Sequence, residues 1–194
     1  MSDLALFGGK PVRKDPFPVW PRVTAGQKEQ LLDTLESATW GIGSDAITTF
    51  EDRFADFHDA KYCIATSSGT NALWVALKAG GVTAGDEVII PPYTFIATAS
   101  AVLMANAIPV FVDIDPDTFN INPTLIEKAI TERTKAIMPV HIGGNPADID
   151  RIKDIAKKHD ISVIEDAAQA HGAELGGVKV GALATGGIFS FQSS

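Results

Sequence analysis

A chain of 194 residues with 45% hydrophobic and 21% charged side chains is too apolar for a disordered tail and has no collagen-like repeat; it can build one globular core. Its 24 acidic against 16 basic side chains give a formal charge of −8, which repels phosphate backbones and weighs against nucleic-acid binding. The single cysteine, Cys63, forms no internal disulfide, and four histidines without a CxxC pair argue against a metal site, so the chain fits a reducing, cytoplasmic compartment.

The apolar run Leu4–Phe7 is too short for a signal peptide. Residues 1–23, rich in Gly and Pro, predict an extended N-terminal arm, and residues 24–194 the main domain. Thr24 is placed to cap a helix reaching about Ala38, with Leu31, Leu32 and Leu35 on one face. A loop follows at Trp40-Gly41-Ile42-Gly43-Ser44, then an amphipathic helix carrying Phe50, Phe54 and Phe57. From there strands and helices alternate. Strands are expected at Tyr62–Thr66, Val88–Ile90, Pro109–Ile114, Lys135–His141, Ser162–Ile164 and Gly187–Phe191. The helices between them are Gly69–Ala79, Thr94–Asn106, one opened by Asn122-Pro123 and running to Ile130, and Ala147–His159, closed by Lys157, Lys158 and His159. No charged side chain occurs from Val88 to Val112, long enough to cross a bilayer. Pro91, Pro92, Pro109 and Asn106 interrupt that stretch and Glu87 and Asp113 flank it, so it reads as a buried strand–helix–strand unit. Short apolar strands separated by helices predict an α/β fold: three layers, α/β/α, around a mostly parallel sheet.

In such sheets ligands bind outside the carboxyl ends of the strands. At the first of these ends, Ser67-Ser68-Gly69-Thr70 opens a helix. This is either a phosphate cradle, with close-approaching backbone N–H groups and a helix N-terminus, or simply an N-cap. The next carries Pro91-Pro92-Tyr93-Thr94-Phe95, whose aromatics suit either stacking on a flat ring or the core. After Ser162–Ile164 come Asp166 and Gln169, three apart; the aspartate suits either a cationic ring nitrogen or a turn. His141 ends another strand and reads as a satisfied core histidine, His58 as a surface residue. Together, a phosphate site, a stacking ring and a ring-nitrogen carboxylate suit pyridoxal phosphate. No lysine for a Schiff base stands at a convincing place; Lys179 is the nearest candidate.

The segments Thr66–Leu73, Gly85–Ile89, Pro92–Thr98, Pro109–Asp115, Pro139–His141, Glu165–Ala173 and Phe189-Ser190-Phe191, in that order and spacing from about Trp40 onward, resemble the DegT/DnrJ/EryC1/StrS aminotransferases. The resemblance implies the large domain of a fold-type I enzyme using pyridoxal 5'-phosphate (PLP, or its amino form PMP), without metal, as a cytoplasmic homodimer. By the same resemblance Gly69, Thr70 and Ser190 would hold the phosphate and Phe95 would stack on the ring. Asp166 would pair with the ring nitrogen, Gln169 with the ring hydroxyl, and Trp40 and Tyr93 would border the substrate. The Schiff-base lysine is expected at position 195, outside the given chain, with a small C-terminal domain beyond. The implied reaction moves an amino group from glutamate or glutamine to a keto-cyclitol or keto-sugar in aminosugar, aminocyclitol or antibiotic biosynthesis. Gly8-Gly9-Lys10-Pro11, Trp20-Pro21 and Gln192 favour a scyllo-inosose-like acceptor. The alternatives are a nucleotide-keto-sugar aminotransferase, a 3-amino-5-hydroxybenzoate synthase-like enzyme, a PMP-dependent sugar dehydratase with histidine at position 195, and a PLP-binding regulatory protein.

Overall fold

The computed structural model describes residues 4–41 and 43–192; the tips of the arm and of the last segment, and Ile42 of the predicted Trp40–Gly43 loop, lie outside the described residues. Two compact units are present, Met1–Ala46 and Ile47–Ser194. The first holds a 3-10 turn, Ala5–Phe7, ended by Gly8 at φ 91°, and helix α1, Ala25–Glu36. Thr24 opens α1 with a reciprocal cap: its hydroxyl oxygen accepts the Gln27 N–H at 3.3 Å while its own N–H donates to Gln27 Oε1 at 2.8 Å. Leu31, Leu32 and Leu35 lie on α1 as their spacing predicts, but all three are exposed.

The second unit begins within α2, Asp45–Phe57. Its centre is a sheet of five parallel strands: β1 (Glu87–Ile90), β2 (Ile108–Phe111), β3 (Thr134–Ile137), β4 (Ser162–Asp166) and β7 (Gly186–Ile188), in the order β2-β1-β3-β4-β7. Alternation along the strands sorts the side chains into two cores. Val88, Ile90, Met138 and Ile164 pack on Leu73 and Leu77 of α3 (Gly69–Ala79) and on Val102 of α4 (Ala97–Met104). Ile89, Ile137 and Val163 point the other way, onto Ile126 of α5 (Pro123–Ala129) and Ile152 and Ile155 of α6 (Ile149–His159). Each of these aliphatic side chains contributes about 1.5–3 kcal/mol by leaving water. The result is the expected three-layer α/β/α architecture, with the carboxyl ends of all five strands on one side. Among the described residues no helix is long and apolar enough to cross a membrane.

Several boundaries differ from the sequence expectation. Tyr62–Thr66 has an extended strand's composition but joins no ladder. Its Ala65 N–H donates instead to the Glu51 carboxylate at 2.7 Å, and Tyr62 and Ile64 are exposed. The helix expected from Thr94 begins at Ala97, after bends that follow Pro91-Pro92, and ends at Met104. The strand expected to reach Ile114 stops at Phe111, leaving Ile114 a lone bridge to Ile121. The strand expected to reach His141 stops at Ile137, with Val140 bridging Asp166 singly. The last strand covers Gly186–Ile188 rather than Gly187–Phe191. A hairpin not anticipated joins β5 (Glu174–Leu175) to β6 (Val178–Lys179) through Gly176 and Gly177, both at positive φ.

Candidate active site

The strand ends of the second unit open into a cleft of about 1340 Å³. Gly69, Thr70, Phe95, Asp166, Gln169 and Ser190 all line it, so one cleft gathers residues from three strand ends and a helix start.

At the start of α3, the Ser68 hydroxyl caps the Asn71 N–H at 3.2 Å, and Ser67 Oγ accepts from Asn71 Nδ2 at 2.7 Å. The capping reading of this segment is met by Ser68, which caps the start of α3, while Gly69 and Thr70 line the cleft. A Cβ added to Gly69 would lie 2.6 Å from Ser190 Cβ and 2.8 Å from Ser190 Oγ. Only glycine allows the helix start and the Phe189–Phe191 segment to approach so closely.

The floor is Asp166, the last residue of β4, 4% exposed. Its Oδ2 accepts the Thr98 hydroxyl at 2.8 Å, which in turn lies 2.7 Å from the Thr94 hydroxyl; its Oδ1 accepts the Ala168 N–H at 3.2 Å. Burial outweighs these bonds and holds the carboxyl above the ordinary carboxylate range. A buried carboxylate so raised gains most from a cation placed beside it. Gln169 is fixed by its Oε1, which accepts the Gly143 N–H at 2.8 Å. Its amide nitrogen is thereby the end left to donate. Phe95 is 58% exposed, with its ring on the cleft.

Tyr93 is not part of the lining; its ring packs 5.7 Å from that of Phe119. Trp40 belongs to the first unit, where its indole N–H donates to the Leu35 carbonyl at 3.2 Å. Lys179, on β6, pairs with Glu174 at 3.5 Å and lies over Phe57, away from the cleft lining.

His58 is not a surface residue. It is 1% exposed, its Nδ1 donates to the Val180 carbonyl at 3.2 Å, and its ring lies 4.1 Å from Phe189 and 4.6 Å from Phe54. Burial lowers its pKa, as it does that of His171 nearby. The partners that bury it are about 120 residues on, beyond the reach of local pattern. His141 is the buried, fully bonded core histidine expected: Nδ1 accepts the Ala147 N–H at 3.0 Å, so Nε2 carries the proton and donates to Glu165 at 3.0 Å. Glu165 itself was missed by sequence reasoning. It is fully buried, and the Gly181, Leu183 and Ala184 N–H groups also converge on it, at 2.7, 2.9 and 2.9 Å. Two adjacent acids at a strand end must face opposite ways, which was the available signal that each had its own partners. Among the described residues no group of His, Cys, Asp and Glu could hold a metal ion.

Comparison with known proteins gives three findings. A family model, the DegT/DnrJ/EryC1/StrS aminotransferase family, matches residues 21–194. The chain is 49% identical to the L-glutamine:2-deoxy-scyllo-inosose aminotransferase of Streptomyces kanamyceticus, over 100% of this chain and 47% of that protein; it spans about half the length of the curated relatives it matches. Among solved structures it superposes on 3-amino-5-hydroxybenzoic acid synthase with a TM-score of 0.88 at 40% identity, covering 91% of this chain and 46% of that one. It also superposes on the Bacillus subtilis protein NtdA, solved with bound cofactor PMP, with a TM-score of 0.72 at 41% identity, covering 84% of this chain and 38% of that one.

Proposed function

The chain belongs to the DegT/DnrJ/EryC1/StrS aminotransferase family, and from that premise we propose that the protein transfers an amino group from L-glutamine or L-glutamate to a keto-cyclitol of the scyllo-inosose type, with PLP held in the cleft. The observation that carries this reading is the buried Asp166 carboxylate at the floor of a cleft whose rim is the Gly69–Ser190 contact. The donor set fits the cofactor: a helix N-terminus and hydroxyls for its phosphate, an open aromatic face for its ring, and a desolvated carboxylate for a ring cation. The names of the relatives, a glutamine-dependent inosose aminotransferase and a structure with bound PMP, support the donor, the acceptor class and the cofactor.

When bound, PLP supplies a sink for the electron pair left as a proton departs from the amino-bearing carbon. The residues of this chain prepare that chemistry. Asp166 would hold a proton on the pyridine nitrogen, its charge steadied by the Thr98 hydroxyl and the Ala168 N–H. Gln169, its carbonyl engaged by Gly143, would donate from its amide to the ring hydroxyl. Gly69 and Thr70 offer backbone N–H groups and the positive end of α3 to the phosphate, with the Ser190 hydroxyl beside them. Phe95, on the cleft lining, would stack on the ring. We take the working assembly to be a cytoplasmic homodimer; the exposed apolar side chains Leu103 of α4 and Phe111 of β2 support self-association.

The test is a substrate screen of the complete protein, first shown to bind PLP. L-glutamine and 2-deoxy-scyllo-inosose are supplied, nucleotide-linked keto-sugars serve as comparators, and products are detected by mass. An amino-cyclitol as the preferred product is expected. Failure of the PLP-loaded protein to aminate any keto acceptor overturns the reading; preference for a nucleotide keto-sugar overturns the acceptor class alone.

A further inference from the structure

Glu165 stands one residue before Asp166 and on the opposite face of β4. Its two carboxylate oxygens take four donors: the His141 ring N–H and the Gly181 N–H on Oε2, and the Leu183 and Ala184 N–H groups on Oε1. Glu165 is not itself part of the cleft lining, although two of its donors, Gly181 and Ala184, are. Three of its four bonds run to one short segment, the turn at residues 181–184 that feeds β7. That turn is packed tightly against β7 and the Phe189 ring. A Cβ on Gly181 would lie 2.5 Å from the Phe189 ring, and a Cβ on Gly187 would collide with the Gly181 backbone. Gly187 is itself the register partner of Glu165, and Ile188 that of Asp166. The Ile188 carbonyl accepts the Ala167 N–H at 2.9 Å. Two residues further on, Ser190 meets Gly69. His141 backs the carboxylate from the other side, anchored through Nδ1 to Ala147 and through its own N–H to the Asp166 carbonyl at 3.0 Å.

We propose that Glu165, braced by His141, is a positioning residue: its carboxylate fixes the 181–184 turn and, through the Gly181–Gly187–Phe189 contacts, sets the Ser190 hydroxyl against the start of α3. The proposal rests on the reading of this cleft as a phosphate-bearing cofactor site. A carboxylate is needed because it alone accepts on both oxygens. Glutamine would turn an NH2 group toward two N–H donors, leaving them unsatisfied in a fully buried place.

The experiment measures binding of pyridoxamine phosphate, which forms no covalent link to a lysine, to the complete protein and to the E165Q, S190A and double variants, together with Tm. Expected is a loss of affinity of about tenfold for E165Q and a similar loss for S190A. The double variant should be little weaker than either single one, because the first change has already displaced the hydroxyl that the second removes. A merely structural glutamate gives a lowered Tm, an unchanged Kd and effects that add independently to S190A; that result overturns the proposal. Should E165Q fail to fold, H141N decides. It keeps an acceptor for the Ala147 N–H and removes one donor from Glu165, and it is expected to weaken binding about threefold, again without adding to S190A; an unchanged Kd overturns the proposal. If the unaltered protein binds no pyridoxamine phosphate, the cofactor reading fails and takes this proposal with it. If it binds and only E165Q is silent, this proposal fails alone.

Discussion

Asp166 and Glu165 are adjacent in sequence, both buried, and differ in every side-chain hydrogen-bond partner. That contrast assigns their chemistry. The Glu165 carboxylate accepts four hydrogen bonds, whereas that of Asp166 accepts two and is held above the ordinary carboxylate range by burial. In the cofactor-free protein the native state therefore holds the Asp166 proton more tightly than the unfolded chain does. The stabilising contribution of this group is complete below the ordinary carboxylate range and is lost as pH rises through the raised value. Asp166→Asn removes that dependence, so the Tm of the cofactor-free variant should gain on that of the unaltered protein as pH rises from acid to neutral; a constant difference across that range would contradict the assignment. In the loaded enzyme the same variant should turn over about 100-fold more slowly or worse, since an amide cannot hold the ring proton. Turnover near normal would remove Asp166 from its role. Gly69→Ala tests the cradle. Its backbone is helical, so alanine costs the helix nothing, but the new methyl meets Ser190. Cofactor affinity is expected to fall by about tenfold as Ser190 is displaced, and the overpacking, about 1–3 kcal/mol, should also lower the Tm of the cofactor-free protein. A titration following cofactor absorbance reads the first effect and a thermal melt the second.

At the scale of elements, what the sequence revealed was whatever is decided locally. α3 covers Gly69–Ala79, the predicted span, because Ser68 caps it and its apolar face is continuous. α5 begins at Pro123 behind Asn122, and the basic end of α6 lies at His159. What stayed hidden depended on distant partners. Tyr62–Thr66 has strand residues but no strand beside it among the described residues, and a ladder is a property of two segments. His58 looked exposed because Phe189 and Val180 are far along the chain. The cleft residues Gly69, Thr70, Phe95, Asp166 and Gln169 were accessible because each sits near the carboxyl end of a strand or the start of a helix, whereas Ser190 was marked only by the family resemblance. The β5–β6 hairpin had a local signal that went unread, Gly176-Gly177, with φ of 61° and 84°. Its energetics follow from those angles. Gly177→Ala should destabilise the protein by about 1 kcal/mol or more, as an L side chain is forced into left-handed backbone. Gly176→Asn should cost markedly less, because asparagine tolerates that region. A urea melt of each variant checks the pair; equal costs would show that the turn is not held in the conformation described.

For the whole molecule, the sheet's two edges are unlike. β7 ends in the cleft-lining segment that carries Ser190, while β2 is an outer strand whose Ile108 and Phe111 are exposed. α4, packed on β2, adds exposed Leu103 and Met104. An apolar, unpaired parallel edge of this kind is seldom left in water, and it offers both ladder hydrogen bonds and apolar surface to another chain. The formal charge of −8 opposes self-association, so any that occurs must be driven by apolar contact rather than by general attraction. The chain is therefore expected to self-associate, with a sedimentation coefficient that rises with concentration. Replacing Ile108 and Phe111 together by lysine should weaken association by about tenfold or more, as removal of large apolar anchors does. Because both residues are already solvent-facing in the single chain, the double variant should keep its far-UV circular dichroism and lose little in Tm. Association that persists unchanged in the variant would place the self-contact elsewhere. A collapse of Tm would mean that the two side chains belong to the fold rather than to its edge.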